Sequence, residues 1–204
     1  MSSHRGREPR LLRLALGLGL SVLGIGACSN EDGLTVTPEA QVSCAGEEPS
    51  EEMKKAGPTM LPGRVCGACH RAGGQALNSP WQVSGTVYRS KTSACNATET
   101  RPPMIVEILY GQNDPKGAYR YGEVQPNGRM RPNSVGNFYS SNKFVAPLVA
   151  RVCESSGADC SGATNVQTMT MKVGLDPNSN TFVRVDCNLC HYSGGQAGGR
   201  IYLN

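Results

Sequence analysis

The chain has 204 residues, enough for one ordinary domain, and is 38% hydrophobic but only 5% aromatic, with 25 glycines and 13 prolines. That composition leans away from a helical bundle and leaves little apolar mass for a core, so crosslinks or a bulky cofactor would have to supply part of the stability. The formal charge of +4 comes largely from the N-terminus: setting residues 1–27 aside leaves 16 basic and 15 acidic residues, a nearly neutral chain with no electrostatic footprint for nucleic acid.

The N-terminus reads as an export signal. Arg5, Arg7, Arg10 and Arg13 precede an apolar run from Leu14 to Ala27, too short to span a bilayer but the right length for a signal peptide. The run ends in Ile25-Gly26-Ala27-Cys28, which resembles a bacterial lipobox; the alternative is an ordinary secretory cleavage site that precedes a cysteine. On the lipobox reading Cys28 becomes the lipidated first residue and Ser29 sends the protein to an outer membrane, where acyl chains hold it to the surface. Residues 28–57 are rich in Glu, Ser, Pro and Thr and read as a flexible tether.

Residues 58–82 contain C-x-x-C-H as Cys66, Cys69 and His70, and residues 187–204 contain it again as Cys187, Cys190 and His191. The two copies form an internal repeat. C-G-A-C-H-R-A-G-G-Q-A from residue 66 and C-N-L-C-H-Y-S-G-G-Q-A from residue 187 agree at seven of eleven positions. The spacing has a mechanical reason: two thiols three residues apart can add to the two vinyl groups along one haem edge. The next residue then lies beneath the iron and binds it through an imidazole nitrogen. From composition alone one chance match has a probability of about 0.006, and two are far rarer. A zinc ribbon would need its two C-x-x-C knuckles close together, whereas 117 residues separate them here. A thioredoxin-like dithiol would sit in a βαβ unit, and none is visible. Two covalent haems (haem c) are therefore expected, with His70 and His191 as proximal iron ligands. The Gly-Gly-Gln-Ala tails at 73–76 and 194–197 are either turns or places where backbone passes close to the porphyrin face.

Between the motifs, residues 83–186 read as β-structure. Predicted strands are 83–88, with Val83, Gly85 and Val87 alternating with polar neighbours, and Ile105 to Tyr110, Asn137 to Tyr139, Phe144 to Val152, Thr168 to Val173 and Thr181 to Val185. Turn clusters at Pro126-Asn127-Gly128 and Asp176-Pro177-Asn178 separate them. The expected fold is mainly β: an antiparallel β-sandwich of about seven strands flanked by two short loop or helical haem-binding segments.

Met60-Leu61-Pro62-Gly63-Arg64-Val65 before the first motif, Gly85-Thr86-Val87-Tyr88, Gly136-Asn137-Phe138-Tyr139, the C-N-x-C-H copy and Gly199-Arg200-Ile201 together resemble a family of exported, cytochrome-like lipoproteins of myxobacteria and related bacteria. The resemblance covers roughly residues 60–204 and departs where Asp114 to Arg131 is inserted. It implies two haem segments flanking a sandwich like the carboxypeptidase regulatory, or transthyretin-like, module.

His4 leaves with the signal, so bis-His ligation within the chain is excluded. Met60 and Met171 are the candidate distal ligands, each close in sequence to one motif. Of the nine cysteines, Cys44, Cys95, Cys153 and Cys160 remain for disulfides in an oxidising compartment. A turn at Ser155-Ser156-Gly157 favours Cys153–Cys160, which leaves Cys44–Cys95. The function expected is electron carriage at a bacterial cell-envelope membrane, with an envelope redox protein as partner. The alternatives are a haem enzyme or small-gas sensor with an open axial site, or a sandwich scaffold or adhesion lipoprotein.

Overall fold

A computed structural model of the chain describes residues 54–76, 78–94, 102–112, 119–176, 178, 182–192 and 197–203. The signal segment, most of the tether and Cys28, Cys44 and Cys95 lie outside the described residues, so the lipidation and Cys44–Cys95 expectations are not addressed by it.

Over the described residues the protein is mainly β, with two antiparallel-rich sheets and almost no helix. Its strands are β1 Val83–Tyr88, β2 Met104–Tyr110, β3 Val124–Met130, β4 Asn137–Ser140, β5 Leu148–Glu154, β6 Val166–Thr168, β7 Val185–Asp186 and β8 Ile201–Tyr202. One sheet is centred on β1, paired with β4, β7 and β8; the other runs β3-β2-β5-β6. Among the described residues no helix is long and apolar enough to cross a membrane.

The strand expectations hold where β-branched residues are densest. Val83–Tyr88 forms as expected, and so does the Met104–Tyr110 run, which pairs along its whole length with β5. Three differences have physical causes. First, β7 and β8 pair with β1 in parallel, not antiparallel. Each returns to β1 only after a long excursion, the connection that parallel pairing needs. Second, Pro126-Asn127-Gly128 is not a separating turn but the middle of β3, inside the insertion. Asn127 takes a left-handed φ of 56° there, and the β2–β3 register shifts between Glu107 and Leu109, so the turn residues make a bulge within a strand. Third, the Thr168 to Val173 run ends as a strand at Thr168, and Val173 makes only an isolated bridge to Leu148.

Val83, Val87, Phe138 and Val185 of the first sheet share one core cluster with Val106, Ile108, Leu148 and Val152 of the second, and Cys187 and Cys190 belong to it. Burying each such aliphatic side chain stabilises by about 1.5–3 kcal/mol relative to exposure. A smaller cluster of Ile105, Cys153 and Cys160 lies apart from it. There Cys153 and Cys160 form the expected disulfide, with a Cα–Cα distance of 5.7 Å. Beside it Glu107 is buried in mid-strand. Burial alone would raise its carboxyl, but Arg129 and Arg151, at 3.0 and 2.8 Å, and the Cys160 N–H hold it below the usual carboxylate range.

Candidate functional site

Both C-x-x-C-H copies begin as short 3₁₀ turns, Cys66–Ala68 and Cys187–Leu189, packed against β1. The sequence repeat is also a hydrogen-bond repeat. In the first copy Cys69 N–H and His70 N–H both donate to the Cys66 carbonyl, and Ala76 N–H donates to the Cys69 carbonyl. In the second, Cys190 and His191 N–H donate to the Cys187 carbonyl, and Ala197 N–H donates to that of Cys190. The backbone of each copy therefore curls tightly enough to present both cysteines and the histidine from one turn. The tail supplies the closure. A Cβ on Gly74 would lie 2.3 Å from the Cys69 carbonyl oxygen, so this glycine is required by the turn itself. Gly194 and Gly195 lie outside the described residues.

The two imidazoles are oriented alike. His70 Nδ1 lies 2.8 Å from the Ser79 carbonyl oxygen, and His191 Nδ1 lies 3.1 Å from that of Gly199. A carbonyl only accepts, so Nδ1 carries a proton in each ring, and in the neutral tautomer Nε2 is the nitrogen that keeps its lone pair. His70 Nε2 is buried and has no hydrogen-bond partner among the described residues. Burial holds His191 below its ordinary pKa, which keeps it neutral, although the Gly199 carbonyl works in the other direction. A neutral ring with Nδ1 anchored to a carbonyl and Nε2 free is the form in which histidine binds a metal.

Each motif opens onto space. A cavity of about 510 Å³ is lined by Met60, Cys66, Cys69, His70, Trp81 and Tyr139, among others. Trp81 stacks on the His70 ring at 3.4 Å and 7°, and Tyr139 stacks on Trp81 at 4.1 Å and 9°. Met60 is thus brought to its expected partners. Its loop is tied down by Asn137, whose Nδ2 donates to the Met60 carbonyl at 2.9 Å. On the other side, cavities of about 250 and 330 Å³ share Met169, Cys187 and His191, and the larger also takes in Met171 and Cys190. Met171 is 47% exposed, whereas Met169, which the sequence reading passed over, packs against the core.

The cysteines differ in state. Cys66, Cys69 and Cys187 are free thiols. Cys190 is disulfide-bonded. A thioether at Cys190 would need its sulfur in the thiol form. Burial pushes the Cys66 thiol well up, and Asp186 works in the same direction. Burial and Asp186 push Cys187 up to about 12. Thiols held protonated in this way lack the depressed pKa of a thioredoxin-like dithiol. Among the described residues no three His, Cys, Asp or Glu side chains are grouped to hold a metal ion by themselves.

Behind the motifs lies a buried polar network that the sequence reading missed. Asn188, the first variable residue of the second motif, donates through Nδ2 to the Arg64 carbonyl at 2.7 Å and to Thr86 Oγ1 at 3.1 Å. Its Oδ1 accepts from Thr86 N–H at 3.0 Å. Thr86 Oγ1 donates to Asn137 Oδ1 and accepts from Gly63 N–H. Asp186 accepts from Gly67 N–H at 2.6 Å and from Asn188 N–H at 3.1 Å. Burial drives the Asp186 carboxyl up to about 7 against the pull of these donors. The second turn can approach β1 because residue 85 is glycine; a Cβ there would meet Phe138 at 2.6 Å and Cys187 Cβ at 2.9 Å.

The residues present fit a haem at the first motif, where two free thiols, an anchored imidazole with an orphaned Nε2 and Met60 surround one cavity. The second motif repeats the backbone and the imidazole anchor, with Cys190 as the exception. No protein family, curated protein or solved structure matches this chain.

Proposed function

We propose that this protein is an exported c-type cytochrome that carries electrons through two covalently bound haems at a cell-envelope membrane. The observation that carries the reading is the duplicated imidazole geometry: in both copies Nδ1 donates to a backbone carbonyl, and at His70 the opposite nitrogen is buried without a partner. An orphaned buried nitrogen costs about 1–3 kcal/mol; iron at Nε2 would remove that cost. When bound, haem would supply a one-electron iron couple. Cys66, Cys69 and His70 would hold the first, and Cys187, Cys190 and His191 the second. Met60 would complete the first iron's coordination and Met171 the second's, with Met169 as the rival on the inner side of the same cavity. The two sheets form the sandwich that flanks these segments, in keeping with the lipoprotein family that the chain resembles. Cys28 is the lipid anchor to an outer membrane, and an envelope redox protein is the partner.

The protonated state of Cys66 and Cys187 favours this reading over a redox-active dithiol. The test is expression with a c-type maturation system followed by intact-mass measurement. Two haems are expected; none or one sinks the proposal. Carbon monoxide then separates a carrier from an enzyme or sensor. Six-coordinate His/Met sites bind it poorly, and full binding at both sites places the open-site alternatives ahead. Met60→Ala and Met171→Ala should each open one site and lower its potential.

A further inference from the structure

In the sequence the two motifs flank about a hundred residues of β-structure and could lie at opposite, independent ends. In the fold they touch, and the contact is reciprocal. Gly67, inside the first C-x-x-C, donates its N–H at 2.6 Å to Asp186, the residue before Cys187, 119 positions away. Asn188, inside the second C-x-x-C, donates at 2.7 Å to the carbonyl of Arg64, two residues before Cys66. The other Asp186 oxygen accepts from Asn188 N–H, so one carboxylate caps the second turn and holds the first. Asp186 and Asn188 are both almost fully buried, and Thr86 on β1 locks Asn188 in place.

We infer that the two C-x-x-C-H sites form one electrostatically coupled redox unit, in which Asp186 and Asn188 fix the first site against the second so that charge held at one changes the potential of the other. The inference rests on the dihaem reading and goes beyond it, since two haems on one chain need not interact. The physical ground is the medium between the sites. Hydrogen bonds join the two turns directly through buried side chains, and interactions through such a buried seam are stronger than across solvent. Sites coupled in this way share macroscopic transitions that belong to the pair rather than to either member. Asp186 and Asn188 act as positioning residues, through the turns they hold.

The experiment uses the matured full-length protein and two single-site variants, Cys66→Ser/Cys69→Ser and Cys187→Ser/Cys190→Ser. Intact mass first counts the haems. A wild-type protein with fewer than two removes the dihaem reading and this inference with it. With two present, spectroelectrochemical titration of the wild type is compared with the sum of the single-site curves, and circular dichroism is recorded across the Soret band. Coupling is expected to make the wild-type titration depart from the sum, with a two-signed Soret band in the wild type and a single-signed band in each variant. A wild-type curve that equals the sum, together with a single-signed wild-type Soret band, overturns the coupling and leaves the dihaem reading standing. If the variants fail to fold, the wild-type Soret band decides: two-signed supports the coupling, single-signed overturns it.

Discussion

Replacing Asn188 with alanine tests the buried network behind the motifs. The side chain is 1% exposed and makes three hydrogen bonds, to the Arg64 carbonyl, Thr86 Oγ1 and Thr86 N–H. Alanine removes all three and leaves the buried Thr86 N–H without its acceptor, while the Arg64 carbonyl keeps only the weak Cys66 thiol donor. The orphaned N–H costs about 1–3 kcal/mol and the weakened carbonyl adds to it, so a loss of about 3 kcal/mol is expected. For a chain of this size that lowers Tm by roughly 6–12 °C. Thermal unfolding followed by circular dichroism measures it. A double-mutant cycle with Thr86→Val sharpens the test, because Thr86 Oγ1 serves Gly63, Asn137 and Asn188 at once. The two changes should interact by about 0.5–3 kcal/mol rather than add. An Asn188→Ala protein that melts within about 2 °C of the wild type, or a cycle that adds without coupling, would refute the network's role in holding the two turns.

Asp186 makes stability depend on pH. Its folded pKa of about 7 lies above the ordinary value of 3.8, so the folded state holds a proton that the unfolded chain gives up. The stabilisation is complete below the ordinary value and is lost as pH rises to about 7, on the order of 4 kcal/mol for three pKa units. Asp186→Asn should flatten chemical-denaturation stability across that window, with Arg184, Cys66 and Cys187 as the neighbouring groups; an unchanged slope would count against it. At the acid end Glu107 acts oppositely, because its depressed folded pKa gives stability that is lost as pH falls through it. Cys153→Ser should cost about 2–3 kcal/mol from the short loop the disulfide closes, read as a lowered denaturation midpoint. Trp81 is the single tryptophan and stacks on His70, so its fluorescence should fall sharply when haem attaches at the first motif. A Cys66→Ser/Cys69→Ser variant should recover most of that emission, and a signal equally bright in both proteins would place the haem elsewhere.

The two C-x-x-C-H turns were legible in the sequence because their geometry is local. Two thiols three residues apart followed by histidine need only one turn, and both turns form with the same hydrogen bonds. The disulfide Cys153–Cys160 was legible for the same reason. What pairs over long distances was not. Nothing local marks β7 and β8 as parallel partners of β1, and Asn127-Gly128 has the same composition in a bulge as in a hairpin turn. The polar network did leave a signal. Thr86 and Asn137 sit among apolar residues in strands buried at nearly every position, and Asn188 lies between two cysteines. A polar side chain in such a place must find partners, and here the partners were one another.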